Sequence, residues 1–244
     1  VSTSTDARHI AFIAGSGMAA VARVLTPRRT VRFDEIEGVG ACGVLGHVGH
    51  VLTGDVDGRE CTLVMGRRHA YEGDAAAPAR LVEWLVGAGV TDLVIASAAG
   101  SLNRLLEPGD VVIARDVIDV QNRRVALSER LRIDPGLASS IENAATRVGV
   151  SWQRGTILCG IGPAYETSAE VRAFQSWGGD VATMSGAPEL AAASRLGIRA
   201  AAIALVTNPC TGIAAATPNH EEVLAAGERA SGSLAALIRQ LVAT

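Results

Sequence analysis

The chain has no lysine; all 22 of its cationic residues are arginines. That excludes Schiff-base chemistry and the lysine of a P-loop, while arginine suits two-pronged binding of oxyanions. Aromatic residues make up only 3% of the 244 positions and the formal charge is −3. There is neither a basic field for a polyphosphate backbone nor a supply of stacking platforms, so nucleic acid is not an expected partner. Cysteines are few and scattered, at Cys42, Cys61, Cys159 and Cys210, with no C-x-x-C pair and no histidine at metal-ligand spacing. Buried, reduced thiols in a cytoplasmic protein are expected, rather than a disulfide framework or a metal site. The start of the chain lacks a basic-then-apolar leader, and its most apolar region, 181–206, is interrupted by Glu189, Arg195 and Arg199. No membrane contact is expected.

What is present is a hydrophobic fraction of 48%, enough for one sizeable core. Residues 1–7 are polar and predict a mobile tail, with a single domain over 8–244. Short β-branched runs predict strands at 9–14, 31–36, 51–56, 61–65, 93–97, 111–114, 154–159 and 200–207. Helical spacing predicts helices at 76–88, 136–148, 168–176, 188–196 and 219–242. Strands and helices alternate after residue 75, whereas the early strands follow one another across glycine turns. The expected class is α/β, one domain with a mixed central sheet flanked by helices.

The segment FIAGSGMAA, 12–20, poses the first functional question. Gly15-Ser16-Gly17 and the small residues after it fit G-x-G-x-x-A, the looser nucleotide fingerprint, which is weak by itself. A dinucleotide unit needs a crossover helix, a parallel strand and an acid about 20 residues on. Here Pro27 interrupts a short helical run, and Asp34 and Glu35 lie in a charged, strand-like stretch. The turn also suits a simpler ligand. Backbone N–H groups and the Ser16 hydroxyl can hold one free phosphate, given cations from elsewhere.

Those cations have a candidate source in GRRHAYEG, 66–73, where Arg67 and His69 stand two apart just beyond a predicted strand. SAAGSLN, 97–103, is another small-residue turn, and MSGAPE, 184–189, sets Ser185 before a helix. Together with LGHVGH, EPGD, GPAYETSAE, VTN and NHEEVLAAG, these segments occur in an order that resembles the trimeric type of purine nucleoside phosphorylase, a family that includes the methylthioadenosine phosphorylases. The resemblance runs from about residue 10 to the last helix. It implies a pentosyltransferase that uses inorganic phosphate to cleave a nucleoside into a purine base and ribose 1-phosphate, with no cofactor and as a homo-oligomer, trimer or hexamer.

The resemblance assigns phosphate to Ser16, Arg67, His69, the backbone at Ala98, and Ser185. His47 matches a histidine near that site, Tyr71 and Met184 match ribose contacts, and Ala99 and Gly100 match the floor beneath the base. Tyr165 matches an aromatic that packs on the base, and Glu166 the carboxylate that reads its Watson–Crick edge. An ionised carboxylate only accepts, so it rewards the N1–H of a 6-oxopurine. Asn208, after Thr207, offers an amide donor toward O6 or N7 where adenosine-type relatives carry Asp. His220 matches a partner of the ribose 5′-hydroxyl. Glu166, Asn208 and His69 are the expected catalytic groups and inosine or guanosine the expected substrate. Glu72 is expected to support the phosphate-site arginine or histidine, and Glu221 and Glu222 to be first-turn acids of the last helix.

The chain departs from the family pattern in places. The stretch between Asp119 and Gly160 is short, and no residue from 119 to 151 is aromatic, although relatives lend an aromatic from here to a neighbouring subunit's sugar pocket. Ser97 stands where Asn is usual, and Ser101 replaces a glycine. A 5′-methylthionucleoside phosphorylase and a non-catalytic nucleoside or phosphate binder remain the alternatives.

Overall fold

The computed structural model describes residues 8–43, 48–121, 131–214 and 220–244. The expected tail at 1–7 and His47 lie outside them. Strand β1 (Ile10–Ala14) is buried throughout. Ile10, Phe12 and Ala14 enter one core while Ala11 and Ile13 enter another, as the two-residue period of a strand covered on both faces requires. Strands β3 (His50–Val56), β4 (Arg59–Met65), β5 (Asp92–Ser101), β6 (Val111–Asp119), β7 (Trp152–Cys159) and β9 (Arg199–Pro209) fall where six of the other runs predict them.

Two strands differ from expectation. The run at 31–36 is not a strand: β2 spans Thr26–Arg32, and residues 33–35 form a 3₁₀ turn that sends Phe33 and Ile36 into the core. Proline is tolerated in β2 because it is an edge strand, paired only with β3 and broken by a bulge between Pro27 and Arg29. Its exposed Arg28, Arg29 and Arg32 guard that edge against further pairing. The other difference is β8 (Val181–Thr183), which has three residues and no legible alternation of its own.

The sheet order is β2-β3-β4-β1-β5-β8-β7-β6-β9, with β9 also paired to β5. Thus β5, β8, β7, β6 and β9 close a ring, and β1 to β4 form a wing on its side. Closure depends on β5. Along one edge it pairs with β1 over residues 92–95 and with β8 over residues 100–101, so β1 and β8 part between them.

Helices cover both faces. One core gathers α2 (Pro135–Val148) and α5 (His220–Ala243), the latter through Leu234, Leu237, Ile238 and Leu241 at i, i+3, i+4, i+7. The other gathers α1 (Ala77–Gly87) through Leu81, Val82 and Leu85, and α4 (Ala187–Leu196) through Leu190 and Ala193. Asp134 caps α2 by accepting from the Leu137 N–H at 2.7 Å, ahead of Pro135 in the first turn. A capping box of Thr167 and Glu170 starts α3 (Ser168–Ser176). The five helices lie within a residue of their predicted bounds, apart from Asn219, which is outside the described residues. None among the described residues is long and apolar enough to cross a membrane.

Candidate active site

The glycine turn after β1 does not open a dinucleotide crossover. It leads into a 3₁₀ run at Ala19–Val24, and the parallel neighbours of β1 are β4 and β5, not the next strand. The turn docks on α5 instead. Gly17 has φ +74°, and a Cβ there would stand 2.9 Å from both Gly227 Cα and Leu224 O. Two glycines back to back let loop and helix approach this closely.

Beyond the end of β4, Arg67 enters the gap where β1 and β5 part. Its Nη2 donates to Ile13 O and Ala96 O, and its Nη1 to Ser97 Oγ at 3.1 Å and to Glu189 Oε1 at 3.4 Å. The side chains of Arg67 and Glu189 are each 1% exposed. Burial pulls the arginine's pKa down and Glu189 partly restores it; arginine stays protonated at neutral pH regardless. Ser97 Oγ also shares a hydrogen bond of 3.2 Å with Ser185 Oγ.

His69, two residues on, is stacked on Tyr71 with ring centroids 4.8 Å apart. Glu72 accepts from the His69 N–H at 2.6 Å, lies 3.3 Å from its Nδ1, and accepts from Gly43 N. Burial would raise the Glu72 carboxyl, but these hydrogen bonds and the Arg68 charge hold it below its usual range. The support expected from Glu72 therefore reaches His69; the arginine it pairs with is Arg68, not Arg67.

At the other end, β9 carries a bulge. Ala99 faces Val206 while Gly100 faces Asn208, which leaves Thr207 as the extra residue. In a regular strand Thr207 and Asn208 point to opposite faces; the bulge lets both line one cavity. The Thr207 hydroxyl lies 3.2 Å from Ala99 O and 2.8 Å from Asn208 Oδ1, and Asn208 Nδ2 donates to Pro209 O. This orientation leaves the amide's second N–H for another acceptor. Opposite, a Cβ on Gly100 would come within 2.6 Å of Cys210 Sγ. Glu166 sits just before the Thr167 cap, and its carboxyl is raised above the usual range, chiefly by burial and less by Glu170.

These groups bound a cavity of about 300 Å³. Every site residue expected from the sequence and described in the structure lines it: Ser16, Arg67, His69, Tyr71, Ala98, Ala99, Gly100, Tyr165, Glu166, Met184, Ser185, Thr207, Asn208 and His220. Tyr71 and Tyr165 are the only tyrosines in the chain. Ser16, Arg67, His69, Ala98 and Ser185 form the polar part, and Glu166 and Asn208 offer acceptor and donor for a planar heterocycle. Gly15, in the turn that the sequence singles out for phosphate, also lines the cavity, as do Pro163, Ala182, Thr183 and Val223, which are not among the expected site residues. Ser97 and Glu189 are not among the lining residues; both fall in segments that carry the resemblance, but it gives neither a role there. Glu221 and Glu222 are in the first turn of α5, as expected.

The sequence signature of the Phosphorylase superfamily matches residues 9–243. Bovine purine nucleoside phosphorylase is 31% identical over 97% of this chain and 89% of its own length. The chain belongs to the purine nucleoside phosphorylase family. The enzyme of that name from Mycobacterium tuberculosis is 30% identical over 99% of this chain and 91% of its own. Purine nucleoside phosphorylase of Schistosoma mansoni, solved in complex with inosine, superposes with a TM-score of 0.83 at 29% identity, covering 98% of this chain and 91% of that one. Among the described residues no group of three or more His, Cys, Asp or Glu side chains is arranged to hold a metal ion.

Proposed function

We propose that this phosphorylase cleaves 6-oxopurine nucleosides, inosine or guanosine, with orthophosphate to give the free base and ribose 1-phosphate. The observation that carries the reading is one cavity lined both by the oxyanion donors Ser16, His69 and Ser185 and by the Glu166–Asn208 pair. In this reading Ser16, His69, Ser185 and the Ala98 backbone hold phosphate beneath the sugar, and Arg67 supplies positive charge from behind. Tyr71 and Met184 flank the ribose, His220 meets its 5′-hydroxyl, Tyr165 packs on the base, and Ala99 and Gly100 form the floor.

Cleavage at an anomeric carbon develops positive charge on the sugar and negative charge on the departing purine. The phosphate anion stabilises the first. A phosphate oxygen then bonds to C1′ as the C1′–N9 bond breaks, and the base leaves with that electron pair. Glu166 accepts from N1–H, and Asn208 donates toward O6 or N7 through a hydrogen bond that strengthens as charge accumulates there. The base anion takes its proton from water afterwards. No covalent enzyme intermediate and no cofactor enter this scheme. Four free cysteines support a cytoplasmic setting, and a homotrimer is the expected assembly.

The test is inosine turnover with and without phosphate, with the sugar product identified. Hypoxanthine and ribose 1-phosphate should appear in equal amounts only when phosphate is present. Release of free ribose at the same rate without phosphate would make the protein a hydrolase. Strong preference for a 5′-methylthio substrate would overturn the role of His220, and absence of any turnover would leave a binder.

A further inference from the structure

Arg67 stands between two anions, one built in and one expected as substrate. Glu189 reaches it from α4 and is not among the residues that line the cavity, and both side chains are almost wholly buried. Among the described residues the guanidinium also donates to Ser97 Oγ, Ile13 O and Ala96 O, which are neutral. Those three oxygens fix the fork on both terminal nitrogens, so Glu189 is not needed to aim it. What Glu189 adds is a full negative charge in a site of low dielectric, where charge acts over longer range than in water. Its second oxygen accepts from Gly186 N at 3.1 Å, directly after Ser185. One carboxylate thus touches both the arginine and the loop that carries Ser185.

We propose that Glu189 is an internal counter-anion of Arg67 that competes with bound phosphate for the guanidinium charge and so limits how tightly phosphate and ribose 1-phosphate are held. Without phosphate, Glu189 spares the protein an uncompensated buried cation. With phosphate bound, the same charge repels the ligand, which keeps the product from being trapped. This inference rests on the assignment of phosphate to the Ser16–Ser185 end of the cavity.

Glu189→Gln removes the charge while keeping the shape and one oxygen for Gly186 N. The expected result is a fall of about tenfold in the KM for phosphate, with the KM for inosine changed by less than about twofold. Product inhibition by ribose 1-phosphate should tighten in parallel. The variant should melt lower than the parent without phosphate and gain more on adding it, because phosphate then becomes the counter-ion. A purely structural role would lower stability and leave the phosphate response unchanged. If Glu189→Gln does not fold, Glu189→Asn and Glu189→Asp carry the same contrast, with the neutral variant expected to show the lower phosphate KM. Ser185→Ala separates the two layers of argument. If it leaves the phosphate KM untouched, the subsite assignment falls and the inference with it. If it raises that KM while Glu189→Gln does not lower it, the counter-anion role alone is refuted.

Discussion

Thr207→Val removes one hydroxyl from the cavity wall and little else, since valine keeps the volume and β-branch that suit a strand. In the native protein that hydroxyl is 2.8 Å from Asn208 Oδ1, and Asn208 is only 5% exposed. The hydroxyl holds the oxygen end of the amide, while Pro209 O accepts from the nitrogen end. Without it Oδ1 loses its buried donor, at a cost of about 1–3 kcal/mol. The amide is then held at its nitrogen end alone, by Pro209 O, and no longer keeps its remaining N–H aimed at the purine as firmly. If that whole loss falls on the transition state, turnover drops roughly 5- to 150-fold. The assay is steady-state phosphorolysis of inosine, with both substrates varied. We expect kcat to fall in that range with the phosphate KM unchanged, because the hydroxyl's partners, Ala99 O and Asn208, are not among the oxyanion donors. Thr207→Ser, which keeps the hydroxyl, should retain most activity. A Thr207→Val enzyme with native kcat would refute the argument that this hydroxyl orients Asn208.

Glu166 must be ionised to accept from N1–H, and burial raises its pKa. The kcat/KM for inosine should therefore fall on acidification at a pH above the ordinary glutamate value of about 4.3; Glu166→Gln should lose that limb while retaining the limb due to phosphate's own titration, and an identical profile in the variant would contradict the role. Gly100→Ala forces a methyl to within 2.6 Å of Cys210 Sγ and 3.5 Å of Asn208 Nδ2, so the floor must shift and inosine affinity should fall about tenfold or more; inosine titration checks this. Asp92, fully buried at the start of β5, pairs with Arg8 and is gripped by Arg199 at 2.7 and 2.5 Å. With those arginines partly exposed, Asp92→Asn should cost about 1–3 kcal/mol, seen in denaturant unfolding, without altering the kinetics.

The sequence reveals an element when its own residues carry the signal. Helix α3 is legible because Thr167 and Glu170 form a capping box before a short amphipathic run, and β1 because its apolar residues are contiguous and bounded by a glycine turn. Strand β8 is not legible, since three residues show no period and their extended form comes from β5 and β7 on either side. The shift of β2 has a similar cause. The short run at 31–36, with Val31, Phe33 and Ile36, looks like a strand, yet Phe33 and Ile36 reach the core from a 3₁₀ turn while the polar edge pairs through Thr26–Arg32. Closure of the ring is likewise tertiary, for it needs β5 to meet three partners at once.

The same division holds in the site. Arg67, His69, Glu166 and Asn208 take expected roles from the motifs they sit in, whereas Ser97 and Glu189, also inside such motifs, act through contacts across 30 and 122 residues that the motifs do not reveal. Read in line, Glu189 is an ordinary first-turn acid of α4. The bulge at Thr207 depends on its pairing with β5 and left no mark in the three letters VTN.

The account turns on a single oxyanion resting beneath the pentose. A crystal grown with phosphate and a non-cleavable inosine analogue tests it most directly. Phosphate density within hydrogen-bonding distance of Ser16, His69, Ser185 and the Ala98 N–H, on the C1′ side of the sugar and opposite the base, is the expected result. A nucleoside bound with no anion at that position under saturating phosphate would contradict it.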